Sequence, residues 1–289
     1  MKLKKVLARL PFIDRRYIFL AIMAAVTVPF FLPVSFTAKP DVQTLNFDKA
    51  LLNALKQDKP ILIDVDFGPQ TMAEMEPMLM ALMHRVFHAG KKAVFITFMT
   101  EAATPLRSYL AQMEKQYGLQ YGVDYVFLGY ASAYAYTMNG LGKSFKAYFH
   151  ADDRGTPIMQ IPLMKNINSL KDVSAVINIA SNAFPRFWIQ YAATPFNIDF
   201  LAGTTAVNAT EYFPFLQTGQ LKGLLAGGRA AAAYENLLVQ EGVLMKTGDA
   251  TKALGSQSLA LLVILLFIAI GNVGYFAGRS RGKERDDTV

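Results

Sequence analysis

Residues 61–72 read ILIDVDFGPQTM, in which three aliphatic residues lead into two carboxylates, Asp64 and Asp66, and then into a Gly-Pro pair. A short apolar run between turn-forming residues is typical of a buried strand. The stretch therefore predicts a first core strand that ends in two acidic side chains.

Further strand-like and helix-like segments alternate along the chain. Strands are expected at residues 93–98, 124–129, 173–180 and 198–202, and residues 221–238, rich in Gly and Ala, are expected to form one long helix. Strands separated by helices are joined by right-handed crossovers into a parallel sheet that is covered on both faces. We expect a three-layer α/β domain with a Rossmann-like or flavodoxin-like arrangement and a mainly parallel sheet of about five strands.

Two uncharged segments flank this domain. Residues 17–36 and 258–277 contain no charged side chain, and each is about long enough to cross a bilayer as a helix. The first could instead be a cleaved signal peptide, but it lacks a good small-residue cleavage site. The sequence predicts a basic segment at 1–16, spans at 17–36 and 258–277, an extracytoplasmic domain at 37–257 and a tail at 278–289.

The net charge of +7 is concentrated at the two ends. Residues 1–16 hold six Lys and Arg against one acid, and residues 279–289 hold four against three. Basic residues beside spanning helices stay on the cytoplasmic side, so both termini are expected in the cytoplasm. The near-neutral middle does not favour nucleic-acid binding, and the expected partners are the lipid bilayer and other membrane subunits or further copies of the chain. No cysteine is present, which excludes disulfides and thiol ligands.

The two acids of the first strand are the main catalytic candidates. Asp64 and Asp66 are two residues apart and point to the same side of a regular strand, where they could hold Mg²⁺. An apolar strand ending in D-x-D resembles the first motif of haloacid dehalogenase-like phosphohydrolases, which implies a nucleophile at Asp64 and an acid at Asp66. Under that resemblance Thr97 stands for the second motif. The alternative is a structural strand end whose carboxylates accept bonds from nearby backbone N–H groups.

The resemblance to the phosphohydrolases covers about six residues. The Thr that usually follows the second Asp by two positions is replaced by Gly68. Asp152 and Asp153 could supply the metal-binding acids, but no clear strand precedes them. His84 and His88 are four residues apart on a predicted helix without the Glu of a zinc-protease motif, so a solvated helix face is favoured over a metal site.

A second group of polar residues follows other predicted strands. Thr97 follows the second strand, and Gly203, Thr204 and Thr205 follow the fifth, where backbone N–H groups and hydroxyls could bind an anion. No glycine-rich nucleotide motif opens a strand-to-helix turn, so no cofactor is expected.

Small residues are placed where helices could approach one another. Gly223, Gly227 and Gly228 interrupt the long helix expected at 221–238 and make it a candidate interface, although packing on the domain's own sheet would explain them equally well. The two spans carry small-xxx-small pairs, which favour contacts between transmembrane helices: Ala21 with Ala25, and Gly274 with Gly278. Aromatic residues also occur in or beside expected loops, where they favour protein contacts: Tyr130, Tyr134, Tyr136, Tyr212, Phe213 and Phe215.

These features favour assembly over catalysis. The sequence predicts a membrane-anchored structural or interaction subunit of a larger membrane assembly. Two alternatives stay open, a magnesium-dependent phosphohydrolase using the D-x-D strand end and an anion-binding sensor domain.

Overall fold

The computed structural model describes residues 14–31 and 38–286, with backbone alone at residues 30 and 277–286. Most of the predicted basic segment and the end of the first predicted span lie outside the described residues. The chain divides into a domain, Thr37–Thr251, and the two terminal segments.

The domain is built on one sheet of six strands, all parallel to their neighbours, in the order β3-β2-β1-β4-β5-β6. The strands are β1 (Ile61–Asp66), β2 (Ala93–Thr97), β3 (Tyr125–Tyr130), β4 (Val176–Ala180), β5 (Phe200–Thr204) and β6 (Gly223–Ala226). This is the strand order of the doubly wound nucleotide-binding fold, in which the direction of winding reverses between the first and fourth strands. The Rossmann-like prediction is confirmed.

Helices precede and connect the strands. They are α1 (Arg15–Phe31), α2 (Val42–Leu55), α3 (Met72–His88), α4 (Thr100–Tyr117), α5 (Tyr134–Leu141), α6 (Phe184–Trp188), α7 (Thr194–Phe196), α8 (Ala206–Gln217), α9 (Gly227–Gln240) and α10 (Asp249–Asp286). A π-helical turn, Ile189–Ala193, joins α6 to α7. Short 3₁₀ turns occur at Pro69–Thr71, Ile158–Gln160, Pro162–Asn166 and Leu170–Asp172.

Alternation along β1 separates two buried layers. All six residues of the strand are buried, and successive side chains point to opposite faces of a sheet. Leu62 lies in an apolar cluster with Trp188 of α6 and Tyr212 of α8. Asp64 and Asp66 share the face of Leu62, so both acids point into a layer that is otherwise apolar.

The sixth strand corrects the predicted helix at 221–238. Residues 223–226 form β6, and the helix α9 begins only at Gly227. A short run rich in Gly and Ala has no periodicity that separates strand from helix. What favours the strand is its position, because Gly223 lies against α2. A Cβ at that residue would stand 2.8 Å from the Cα of Phe47.

One helix of the described residues is long and apolar enough to cross a membrane. It is the segment Asp249–Phe276 of α10. The helix α1 has 17 residues, with Pro29 inside it, and it does not meet the same criterion. The structure therefore supports one possible membrane helix, and the two-span arrangement stays a prediction.

The helix α10 begins earlier than the predicted span because a buried carboxylate caps its first turn. Glu235 of α9 accepts hydrogen bonds from the backbone N–H groups of Gly248, Ala250 and Thr251, each at 3.1 Å. The first N–H groups of a helix have no partner within the helix. Glu235 supplies that partner.

Candidate site at the carboxyl ends of β1 and β4

The neighbouring strands β1 and β4 bring the acid pair to the place where the winding reverses. Asp64 lies beside Asn178 and Asp66 beside Ala180 in the register of the two strands. In sheets of this kind the ligand crevice opens beyond the carboxyl ends of these strands. Asp64 and Asp66 therefore occupy the position from which a ligand would be bound.

Asp64 is held by two nitrogen donors. Its Oδ2 accepts a hydrogen bond from Trp188 Nε1 at 2.6 Å and another from Asn178 Nδ2 at 3.0 Å. The side chain is fully buried, and its Oδ1 meets no hydrogen-bond donor among the described residues. Trp188 is the only tryptophan of the chain.

Asp66 receives donors on both of its oxygens. Oδ1 accepts from the backbone N–H of Phe98 at 2.7 Å and lies 3.3 Å from the hydroxyl of Thr97. Oδ2 accepts from Asn178 Nδ2 at 2.9 Å. One amide group, that of Asn178, thus bridges both acids.

Burial and charge favour the protonated form of Asp64. Burial and the neighbouring charge of Asp66 raise the pKa of Asp64 well above its ordinary range. The pKa of Asp66 is also raised by burial, but hydrogen bonds from Asp64 and from the Phe98 N–H oppose that rise. A protonated carboxyl is a donor, so a proton on Asp64 would allow Oδ1, which has no partner among the described residues, to donate toward the Asp66 carboxylate. The directions of the two pKa shifts make Asp64 the member of the pair that keeps its proton to the higher pH.

The crevice at these strand ends is filled by side chains of the domain. Asp64 and Asp66 have no exposed surface, and neither lines any of three cavities of the described domain. The ring of Trp188 packs 6.3 Å from that of Phe98, which in turn lies 5.6 Å from the ring of Phe184. Among the described residues, the side chains at these strand ends leave both acids without contact with solvent.

A second carboxylate occupies the helix ends beyond β5 and β6. Oε1 of Glu74, in the first turn of α3, accepts from the N–H of Ala206 at 2.9 Å and from that of Gly228 at 3.1 Å. These N–H groups begin α8 and α9, and helix N-termini attract anions. The anion held there is the domain's own Glu74.

The residues predicted to bind an anion either form hydrogen bonds within the domain or are buried. Thr97 is buried beside Asp66, and Thr205 caps α8 by accepting from Asn208 N. Gly203 lies against Met78 of α3, where a Cβ would overlap the sulfur. Thr204 is fully buried, and its hydroxyl has no partner among the described residues. These four residues do not converge on one open cradle.

The acids proposed for a metal lie elsewhere. Asp153 forms a bidentate pair with Arg107, both distances being 2.7 Å, and Asp152 accepts from the hydroxyl of Tyr121 at 2.8 Å. Within residues 14–31 and 38–286, no group of three or more His, Asp or Glu side chains is arranged to hold a metal ion.

The three glycines predicted to form a helical interface have internal roles. Gly223 lies in β6 and lets α2 approach the sheet. Gly227 has a φ of +75°, which favours glycine, and a Cβ there would stand 2.7 Å from both Ala206 and Glu74. Gly228 donates to Glu74. The prediction that Gly223 lies in a helix is wrong, because residues 223–226 form β6. Gly223 and Gly227 serve close packing within the domain.

The small residues of the terminal helices lie in described helical backbone. Ala25 of α1 and Gly274 of α10 are buried and Ala21 is half-buried, whereas the surroundings of Gly278 lie outside the description. Their role in contacts between spans stays a prediction.

Three residues of the site escaped prediction from the sequence. Asn178 stands in the middle of an apolar strand, Trp188 in a short helix and Glu74 on a helix surface. The sequence offered one signal, the amide of Asn178 within the apolar run Val176–Ala180, because a polar side chain in a buried strand requires a hydrogen-bond partner.

No family model, no curated protein and no solved structure matches the chain.

Proposed function

We propose that this protein is a membrane-anchored structural or interaction subunit whose α/β domain contacts partner proteins or further copies of itself. The observation that carries the proposal is the closed crevice at the reversal point of the sheet. Asp64 and Asp66 are fully buried there and are bridged by Asn178, with Trp188 donating to Asp64, whereas related architectures open to a ligand at this place.

The placement of Glu74 supports the same conclusion. A domain that binds phosphate or another anion leaves the N–H groups of its helix ends free for the ligand. Here Glu74 accepts from Ala206 and Gly228. Ligand binding at either place would first require the domain to displace its own carboxylates.

An aromatic patch on the surface offers a contact area for a protein. It consists of Tyr134, Phe184, Phe187 and Tyr191. The rings of Tyr134 and Phe187 stack at 4.5 Å, and Tyr134 keeps 38% of its surface exposed. Aromatic side chains are enriched in protein interfaces. The patch is therefore the surface we assign to assembly.

The proposal includes a two-pass topology with both termini in the cytoplasm and the domain on the opposite side. It is supported by the apolar helix at Asp249–Phe276 and by the basic residues near both predicted spans. Anchoring at both ends suits a subunit held beside other membrane proteins.

Purification in a mild detergent tests the proposal by measuring the protein mass in the micelle. We expect a mass above that of one 31.9-kDa chain, either from self-association or from a co-purifying partner. The double variant Tyr134→Ser/Phe187→Ser should lose the additional mass. Val207→Ser, which alters a side chain that is 85% exposed, should keep it. A monodisperse monomer without a partner contradicts the proposed role.

The geometry supports the phosphohydrolase less well. A nucleophile needs an unprotonated oxygen that can reach the substrate, whereas Asp64 is buried, accepts the indole N–H and has a pKa that burial raises well above its ordinary range. Equal phosphatase activity of the wild type and Asp64→Asn would remove that alternative. For the anion sensor, an unchanged melting temperature across a panel of small anions would do the same.

A further inference from the structure

A groove of about 470 Å³ lies at the amino ends of β1 and β2, at the opposite end of the sheet from the acid pair. Its lining includes Pro60, which precedes β1, and Lys92, which precedes β2. Pro162 and Leu163, from the long segment between β3 and β4, complete a partly apolar floor.

Lysine side chains surround the groove without carboxylate partners. Lys59, Lys91 and Lys92 line it. The ammonium of Lys59 donates to the carbonyl of Lys171 at 2.8 Å, and that of Lys91 donates to the carbonyl of Gln57 at 3.2 Å. Both acceptors are neutral, and no carboxylate of the described residues forms an ion pair with these three lysines. None of the three ammonium groups is therefore bound directly by a carboxylate.

The charge of the groove departs from that of the domain. Residues 38–251 contain 18 Lys and Arg and 18 Asp and Glu, so the domain as a whole is neutral. The residues that line the groove include three lysines and two acids, Asp58 and Asp172.

One of those two acids is already engaged. Asp172 accepts from the backbone N–H groups of Asn168 and Ser169 at 2.8 and 2.9 Å. Its charge is directed toward the chain turn that it caps. With three lysines and two acids in its lining, the groove presents one positive charge in excess to a bound molecule.

We infer that this groove docks an acidic peptide segment of a partner protein. The volume suits several residues of extended chain, and the Pro and Leu floor suits apolar atoms between the acidic groups. No arginine lines the groove, so it lacks the planar fork that favours bidentate binding of phosphate. Lysine ammonium groups act as separate point charges and match carboxylates spread along a chain. This inference rests on the proposed interaction role and names a second surface for it.

Binding of a labelled peptide to the full-length protein in detergent tests the inference. The probe is fluorescein-labelled deca-glutamate, with deca-glutamine as the uncharged control, and anisotropy is recorded at about 50 mM salt, where surface charges are weakly screened. We expect deca-glutamate alone to bind. Lys91→Gln/Lys92→Gln should weaken binding at least about fivefold, because rim charges contribute to electrostatic complementarity.

A second groove supplies the matched control. It has the same volume, about 470 Å³, and two lysines, Lys49 and Lys222, but it lies at the amino ends of β5 and β6 beside Asp199. Lys49→Gln/Lys222→Gln removes the same charge from the protein and should leave peptide affinity within about twofold. Equal affinity of the wild type and Lys91→Gln/Lys92→Gln overturns the inference. Lysine-dependent binding to anionic nanodiscs without binding to deca-glutamate also overturns it, in favour of a lipid surface.

The two proposals fail in different ways. If the protein is a partner-free monomer but still binds deca-glutamate through Lys91 and Lys92, the proposed assembly role fails and the inference about the groove stands. If the wild-type protein does not bind deca-glutamate, and its assembly persists in Lys91→Gln/Lys92→Gln, the inference about the groove fails and the proposed assembly role stands.

Discussion

The two aspartates of β1 have different roles although they lie two residues apart. Asp64 accepts at Oδ2 only, and its raised pKa favours a neutral acid whose Oδ1 is free to donate, whereas Asp66 accepts on both oxygens. An asparagine reproduces the first pattern, because it has one acceptor and one donor end. It cannot reproduce the second, since its NH₂ group would face another donor.

The contrast predicts unequal effects of the same substitution. Asp64→Asn should lower the free energy of unfolding by less than about 1 kcal/mol, and Asp66→Asn by about 1–3 kcal/mol, the usual cost of an unsatisfied buried group. Thermal and denaturant unfolding of the full-length protein, followed by the fluorescence of Trp188, measures both. Equal losses would contradict the assignment of the proton to Asp64.

The pH dependence of stability follows from the raised pKa of Asp64. The unfolded side chain titrates near 3.8, whereas burial holds the folded side chain protonated to a much higher pH. The contribution of Asp64 to stability is complete below about pH 4 and is lost as the pH rises toward its folded pKa. In that window the folded state holds one proton more than the unfolded state, so the free energy of unfolding falls by about 1.4 kcal/mol for each unit by which the pH rises.

Asp64→Asn should therefore make the stability of the protein less dependent on pH. Burial also raises the pKa values of Asp48 and Glu235, so a slope of the same sign should remain in the variant. Unfolding of the wild type and the variant between about pH 4 and 7 isolates the part due to Asp64. Parallel curves would show that Asp64 is ionised in the folded protein.

At the scale of elements, the sequence predicted those segments whose hydrophobic pattern has a clear period or sharp boundaries. The strands β1, β2 and β3 were found within one or two residues. The strand β6 was missed because four small and aliphatic residues before a Gly-Gly pair fit a helix equally well. The bridging role of Asn178 could not be predicted, since it depends on the pairing of β1 with β4.

The corrected position of Gly223 gives a prediction at this scale. Gly223→Ala should destabilise the domain by about 1–3 kcal/mol, because the new Cβ would meet the backbone of Phe47 and push α2 from β6. Gly228→Ala is the matched control. Its Cβ would lie 3.7 Å from Glu74, an ordinary contact, and the change should be neutral or stabilising by up to about 1 kcal/mol. Thermal unfolding distinguishes them, and a tolerated Gly223→Ala would contradict the close packing of α2 on β6.

For the whole molecule, charge and surface indicate different tasks for different regions. The domain is neutral overall, its central crevice is occupied by its own acids, and three of its lysines line the groove at the amino ends of β1 and β2. The additional positive charge belongs to the terminal segments. This distribution suits a protein whose terminal segments contact an anionic membrane surface and whose domain binds partners through its outer surface.

The topology can be tested directly because the chain contains no cysteine. Single cysteines are introduced as Lys5→Cys, Lys222→Cys and Lys283→Cys, and intact cells are treated with a membrane-impermeant maleimide. Lys222 is exposed on the domain, so Lys222→Cys should react in intact cells. The two terminal variants should react only after lysis, because basic flanks of spanning helices stay inside. The cysteine-free parent gives the background. Labelling of Lys5→Cys in intact cells would contradict the cytoplasmic N-terminus, and protection of Lys222→Cys would place the domain in the cytoplasm.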